Sequence, residues 1–346
     1  MLPPPNPSNG AKHPFNNLYD MAMSLRTRNN ILIVIGLIML ICSSATADNN
    51  DSDVFTITPT YTQAELDSMR SYFIKYGSEE TYFDYLFYGT DRKNEYIFTF
   101  YMANTFNTSG AQLNMYEIIK YFYQSIGEEL DSTANAIALS YLKRSVEQGH
   151  YFAVCEISEL LLCGIGMPRD TIKAKEYLFK YINHVEAEKH WIINNESSQK
   201  WFKIDVRKRE KIREKRKTML QTMADKGFAD EVSKMSTYTP EALEFLKNYF
   251  ILHGDEDAYI KYIKFCPDVE NKAMYTFYMA NTHNSAIAQY QMYCMIRDFY
   301  ASIGKEMDFS ANNIAMSYLK RSAEQGYHLA ELELSRLVKS VCVSSC

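Results

Sequence analysis

The chain has 346 residues, 47% of them hydrophobic and 23% charged, so it can bury a sizeable core and wholesale disorder is excluded. With 42 acidic and 37 basic residues the formal net charge is −5, which argues against a general nucleic-acid binder. Only 13 Gly and 9 Pro are present, too few turn-forming residues for a many-stranded sandwich or barrel. The 27 Tyr predict a helical protein with a Tyr-rich interior or a Tyr-rich binding face.

An apolar run near the amino end predicts an export signal. Ile31–Cys42 (ILIVIGLIMLIC) is uncharged, follows Arg26 and Arg28, and precedes small residues that end at Ala47. A helix of that length rises about 18 Å, which is too short for the ~30 Å hydrocarbon core of a membrane. A basic flank, a short apolar core and a small-x-small site are typical of a secretory signal peptide, with cleavage expected after Ala47. The protein is therefore expected to be exported, to the periplasm or the medium, with no stable membrane span after cleavage.

Two alternatives stay open for this segment. Left uncleaved, the apolar run would anchor the protein in a membrane. Cys42 would be a lipid-attachment cysteine, although the bulky Ile41 precedes it where lipoprotein signals use a small residue. The basic region is long, and Met21 or Met23 is a more natural start, which would leave residues 1–20 untranslated.

The chain contains an internal duplication. A shift of 177 residues aligns Tyr61–Leu160, the first copy, with Tyr238–Leu337, the second copy, without a gap, and 49 of the 100 positions are identical. The best-matched patches are FTFYMANT, which begins at Phe98, and SYLKRSVEQG, which begins at Ser140. The predicted organisation is a signal peptide at 1–47, the first helical-repeat copy at 48–185, a basic helical connector at 186–236 and the second copy at 237–346.

Apolar residues recur at helical spacing in each copy and stop at glycines. Leu66, Met69 and Phe73 lead to Gly77, and a matching series ends at Gly254. A single helical hairpin cannot bury its apolar stripe alone, so successive hairpins must pack on one another. The predicted fold is all-α, a right-handed α-solenoid of helical hairpins, internally duplicated.

One stretch of the first copy has a more specific pattern. It runs over Ala138–Leu178, and its matching residues are Ala138, Tyr141, Arg144, Glu147, Gln148, Gly149, Gly164, Gly166, Pro168, Asp170, Lys173, Ala174 and Tyr177. This pattern resembles the sel-one-like repeat, a relative of the tetratricopeptide repeat. The second copy ends before its Gly-x-Gly loop, so Leu329–Val341 is expected to be a terminal capping helix. The resemblance implies a helical scaffold that binds a protein or peptide partner.

No motif points to catalysis, a metal or a cofactor. Gly164-Ile165-Gly166 is interpreted as a turn between helices, because no strand precedes it, and Asp170 is expected to cap the next helix. No HExxH sequence and no nucleophile elbow occurs. The protein is therefore predicted not to be an enzyme, with no catalytic, metal-binding or cofactor-binding residue.

A basic segment joins the two copies. Lys200–Lys217 holds ten basic and three acidic residues, and Glu210–Arg213 and Glu214–Lys217 are spaced for salt bridges along a helix. The segment is interpreted as a solvated helix. An anionic partner or lipid headgroups are the alternative.

Several residues present in both copies do not serve apolar burial. They either make caps and internal hydrogen bonds or line a concave recognition face. The candidate partner-binding residues are Tyr101, Asn104, Gln112, Lys143, Tyr278, Asn281, Gln289 and Lys320.

The resulting hypothesis is an exported scaffold that binds a protein or peptide in the cell envelope, for example as an inhibitor or immunity-type protein. The alternative is an envelope hydrolase or a binder of cell-wall fragments whose site is assembled from scattered residues. An open groove favours the scaffold, whereas titratable side chains clustered in a deep pocket favour the enzyme. The identity of the partner and the oligomeric state stay open.

Overall fold

The computed structural model describes residues 61–89, 94–225, 228, 232, 238–266 and 272–344. The predicted signal peptide and its Ala47 cleavage site lie outside these residues. Within them the regular secondary structure is helical and no strand occurs, so the predicted all-α class is confirmed.

The first six helices of the first copy correspond one to one with the six described helices of the second copy. The first copy and the connector form α1 (Gln63–Tyr76), α2 (Glu79–Tyr88), α3 (Glu95–Thr105), α4 (Ser109–Ser125), α5 (Ser132–Glu147), α6 (Tyr151–Cys163), α7 (Thr171–Tyr181) and α8 (His184–Asp225). The second copy forms α9 (Pro240–His253), α10 (Glu256–Phe265), α11 (Lys272–Asn281), α12 (Ala286–Ser302), α13 (Phe309–Glu324) and α14 (His328–Ser344). A shift of 177 residues carries the first residue of each helix from α1 to α6 onto the first residue of its counterpart from α9 to α14.

The caps repeat as well. Thr62 accepts a hydrogen bond from a backbone N–H in the first turn of α1, and Thr239 does the same for α9. Both helices end at a glycine with a left-handed backbone, Gly77 at φ 69° and Gly254 at φ 67°. A side chain at Gly77 would also collide with the ring of Phe106, so only glycine fits there. The predicted helix ends at these glycines are confirmed.

Consecutive helices pack as hairpins in series. In the first copy α1 packs on α2, α3 on α4, α4 on α5, and α6 on α7. The turn between α6 and α7 holds Gly164 and Gly166, both with positive φ, and Asp170 caps α7 by accepting from the Lys173 N–H. The interpretation of this glycine pair as a turn is therefore confirmed.

The two copies also pack directly against each other, through the same residues on both sides. Thr105 donates a hydrogen bond to Asp308 Oδ2 (2.6 Å), and its oxygen lies 2.5 Å from the Tyr300 hydroxyl. In the symmetry-related contact, Thr282 donates to Asp131 Oδ2 (2.5 Å), and its oxygen lies 2.6 Å from the Tyr123 hydroxyl. Because Thr282 gives its only proton to Asp131, the Tyr123 hydroxyl is the donor to Thr282, whereas the Tyr300 hydroxyl also donates to Asp308 Oδ2 at 3.0 Å.

Aromatic rings make the same kind of reciprocal contact between the copies. Tyr101 meets Tyr300 edge-on with ring centroids 5.4 Å apart, and Tyr123 meets Tyr278 at the same 5.4 Å. All four rings are nearly inaccessible to solvent. Residue i of one copy thus contacts residue j of the other and the reverse also holds, which is the signature of a two-fold axis. The copies form a pseudo-symmetric internal dimer.

Both aspartates at this interface have a second role. Asp131 accepts from the N–H groups that open α5, and Asp308 accepts from the Ala311 N–H at the start of α13. Burial raises the pKa of Asp308, but the hydrogen bonds from Thr105 and the Ala311 N–H outweigh it and hold that pKa below its usual value. One carboxylate therefore joins the cap of its own helix to the neighbouring copy.

The connector helix α8 is fastened to both copies. Arg216 is buried, donates to Glu128 Oε1 (2.7 Å) and the Ile126 carbonyl, and reaches Asn248 Oδ1 of the second copy at 3.2 Å. Arg213 pairs with the other oxygen of Glu128 at 2.9 Å, so the predicted pairing with Glu210 is wrong. The long-range partner prevails because it is a half-buried carboxylate against which the helix packs.

The last helix has a more polar outer face than its counterpart in the first copy. Val154 and Leu162 of α6 are buried, whereas Glu331 and Lys339 take the equivalent positions on α14 and are exposed. A polar outer face is what a capping helix of a repeat stack requires. The predicted capping helix at Leu329–Val341 corresponds to α14.

The reciprocal contacts predict a matched pair of stability effects. Thr105→Val and Thr282→Val each remove the hydroxyl that joins a tyrosine to an aspartate, and each should lower the free energy of unfolding by about 1–3 kcal/mol. Urea denaturation measures the change. Thr218→Val, at an exposed site on α8, is the control and should change it by less than about 0.5 kcal/mol. A loss at only one of the two positions would contradict the pseudo-symmetry.

Candidate functional site

The two best-matched sequence patches contact each other inside each copy. The Arg144 guanidinium on α5 donates to Asn104 Oδ1 (3.0 Å) and the Ala103 carbonyl (2.7 Å) on α3. It also donates to Asn107 Oδ1 (2.8 Å) in the turn after α3. The Tyr141 hydroxyl accepts from Asn104 Nδ2 at 2.9 Å. The α5 patch is therefore held to the α3 patch by hydrogen bonds that use its polar residues.

Gln112 completes this network from α4. It has no exposed surface, donates to Asn107 Oδ1 (2.6 Å), and accepts from Gln148 Nε2 (2.8 Å). Asn107 has a left-handed backbone, φ 56°, which brings its carboxamide oxygen toward both donors. Arg321, Asn281, Asn284, Gln289 and Gln325 repeat the arrangement in the second copy.

The structure divides the eight predicted partner-binding residues into two groups. Six are buried and bonded internally: Tyr101, Asn104, Gln112, Tyr278, Asn281 and Gln289. Tyr101 and Tyr278 donate to the carbonyls of Ile74 and Ile251, at 2.7 and 2.9 Å. Only Lys143 and Lys320 are exposed. The alternative of caps and internal hydrogen bonds describes the six buried residues.

A groove lies where α5 and α13 approach each other across the pseudo-two-fold axis. Its volume is about 170 Å³. Five equivalent pairs line it, together with Tyr96: Phe100 and Phe277, Ile137 and Ile314, Ser140 and Ser317, Tyr141 and Tyr318, and Arg144 and Arg321. The phenylalanines are buried, the isoleucines half-buried and the serines exposed, so an apolar floor rises to a polar rim.

The groove carries positive charge. Among the described residues neither Arg144 nor Arg321 forms an ion pair, and their hydrogen-bond acceptors are neutral amide and carbonyl oxygens. The lining has no acidic side chain, no histidine and no cysteine. Two half-buried cations without a compensating carboxylate make this a site of positive potential on a protein of net negative charge. The groove has no group suited to acid–base catalysis at neutral pH.

Tyr141 and Tyr318 support the two guanidinium groups. Each arginine lies over its neighbouring ring, 5.6 Å from the centroid for Tyr141 and 5.7 Å for Tyr318. Burial raises the pKa of both hydroxyls to about 12, so they stay protonated at neutral pH. The arginines are therefore oriented before any ligand arrives.

The eight predicted residues do not include the lining of the groove, although its sequence signal is present. Ile137, Ser140, Tyr141 and Arg144 follow the i, i+3, i+4, i+7 spacing of one helix face. This stripe carries polar residues among apolar ones in both copies. The sequence alone does not show the two-fold contact that brings the two stripes together.

The described residues offer neither a metal site nor a membrane-spanning helix. They contain no group of three or more His, Cys, Asp or Glu placed to hold a metal ion. Within the same residues no helix combines the length and apolarity needed to cross a membrane.

No family model and no curated protein sequence matches the chain. Among solved structures it is similar to a Sel1 repeat protein from Oxalobacter formigenes, at 15% identity over 76% of this chain and 89% of that one, with a TM-score of 0.23. It is also similar to a protective antigen of uropathogenic Escherichia coli strains with an SLR fold, at 12% identity over 80% of this chain and 74% of that one, with a TM-score of 0.24. Both are sel-one-like repeat proteins, the family that Ala138–Leu178 resembles.

The network around the groove predicts how Asn107 responds to substitution. Asn107→Ala should lower the free energy of unfolding by about 1–3 kcal/mol, because alanine tolerates a left-handed backbone poorly and gives Gln112 and Arg144 no acceptor. Asn107→Gly removes the backbone cost and should be milder than alanine by about 1 kcal/mol. Thermal or urea unfolding of both variants, and of the same pair at Asn284, measures this. Equal losses for alanine and glycine would contradict the backbone argument.

Proposed function

We propose that this protein is a binding scaffold that captures a protein or peptide partner in the groove between its two copies. The observation that carries the proposal is the juxtaposition of Arg144 and Arg321, unpaired with any described carboxylate, above an apolar floor. A partner that fits places one apolar side chain on that floor and acidic groups on either side of it.

The size of the groove sets the size of the anchor. A cavity of about 150 Å³ accommodates benzene, and the groove measures about 170 Å³. One phenylalanine or leucine side chain is therefore the matching group. Its burial supplies about 1.5–3 kcal/mol, and arginine–carboxylate contacts at the rim fix its orientation.

The pseudo-symmetry of the groove limits how many partners one chain can bind. Equivalent residues line both halves, so a peptide of similar acidic character on either side of its anchor satisfies both arginines at once. Tyr96 breaks the symmetry, because the second copy has the smaller Ala273 at that position. One partner per chain, bound in a preferred direction, is the expected complex.

Charges of opposite sign, introduced at two serines on the rim, test the groove without disturbing the hydrogen-bond network around Arg144 and Arg321. Ser140 and Ser317 are exposed on the rim, so Ser140→Glu/Ser317→Glu adds negative charge where the acidic groups would sit. Fluorescence anisotropy with a labelled DEFED peptide should show roughly tenfold weaker binding than the unmodified protein.

The matched control is Ser140→Lys/Ser317→Lys, which should bind DEFED at least as well as the unmodified protein. A KKFKK peptide should not bind, and DEAED should bind more weakly than DEFED because it lacks the apolar anchor. Equal affinity of the glutamate and lysine variants, or no saturable binding of DEFED, would refute the groove as the binding site.

We propose further that residues 1–47 direct export, so that capture takes place in the cell envelope, as an inhibitor or immunity-type protein would require. The support is the uncharged Ile31–Cys42 run with its basic flank and small residues up to Ala47. Amino-terminal sequencing of the protein from its own cells should give Asp48 as the first residue. A lipid-modified start at Cys42, or an uncut chain in the cytoplasm, would contradict it.

A further inference from the structure

A second pocket lies in the first copy, away from the two-fold axis. It measures about 310 Å³ and sits between α5, α6 and α7. Its apolar surface comes from Ile157, Leu161, Met167, Pro168 and Tyr177. A volume near 300 Å³ is at the lower end of the range for small-molecule sites.

The rim of this pocket is cationic. Lys143, Arg169 and Lys173 line it together with a single acid, Asp170. None of the three bases forms an ion pair in the part of the chain that the structure describes, and all three are exposed. One oxygen of Asp170 is already engaged by the backbone N–H of Lys173 at the start of α7. The pocket therefore keeps an excess of positive charge beside an apolar wall.

Of the eight predicted partner-binding residues, Lys143 and its counterpart Lys320 are the two that the internal hydrogen bonds do not use. In the second copy its counterpart Lys320 is also exposed, but the described residues provide no equivalent of α7 beside it. There Leu161 is replaced by Val338, which is 57% exposed, whereas Leu161 is 5% exposed. The same lysine thus borders a pocket in one copy and an open helix face in the other.

We propose that the pocket bordered by Lys143, Arg169 and Lys173 binds a small ligand that carries an oxyanion on an aromatic or aliphatic body. The three cations hold the phosphate or carboxylate group. The apolar body lies against Ile157 and Leu161, with the Tyr177 ring available to stack on it. This site is independent of the groove, since the two share no lining residue.

The full chain is titrated at low ionic strength with four probes, and ligand-observed NMR detects the binding of each. Phenyl phosphate or benzoate should bind saturably, whereas phenol, which lacks the charge, and inorganic phosphate, which lacks the apolar body, should bind much more weakly. Whichever of the two ring anions binds more tightly identifies the oxyanion as phosphate or carboxylate.

Lys143→Ala and Lys320→Ala form a matched pair, because both lysines are exposed at equivalent positions. Lys143→Ala should weaken binding of the ring anion roughly three- to tenfold, and Lys320→Ala should leave it unchanged. Unchanged circular dichroism and melting temperature verify that both variants are folded. The proposal is overturned if neither ring anion saturates, if phenol or inorganic phosphate binds as tightly, or if the two alanine variants behave alike.

Discussion

Two threonine–aspartate hydrogen bonds cross between the copies and join the helix starts on which the groove is built. Thr105 and Thr282 each join an aspartate and a tyrosine of the opposite copy, and each aspartate also opens a helix of its own copy. Because α5 and α13 begin at these aspartates, the contact also fixes how the two helices lie relative to each other. The groove between them, with its two arginines, exists only in that arrangement.

The pseudo-symmetry is broken where the connector must attach. Position 128 is Glu in the first copy, and its counterpart in the second copy is Lys305. Glu128 pairs with Arg213 and Arg216 of α8, whereas Lys305 donates to the Ile74 carbonyl (2.7 Å) and the Tyr101 hydroxyl, so it bridges the copies without help. The two equivalent positions thus differ in charge: Glu128 binds the arginines of the connector, and Lys305 forms a direct bond between the copies.

Local features of the fold were predictable from the sequence, whereas the association of the copies was not. Helix ends at Gly77 and Gly254, the turn at Gly164 and the cap at Asp170 follow from backbone chemistry within a few residues. The burial of Tyr101 and Asn104 depends on partners far away in sequence, at Tyr300 and Arg144. A tyrosine or asparagine present in both copies is equally compatible with a recognition face or an interface, and only the fold separates them.

The two sites differ in how they depend on the duplication. A groove on a two-fold axis needs both copies of its lining, so Arg144 and Arg321, with the amides that orient them, are required together. A pocket within one copy needs only that copy. Lys143 borders one because the segment Gly164–Tyr177 packs beside it, whereas the described residues contain no equivalent segment beside Lys320. Features shared by both copies therefore mark the structure of the axis, and features present once mark sites that one copy supports alone. Lys143 belongs to both groups: the residue type is the same in both copies, but only in the first copy do the described residues form a pocket beside it.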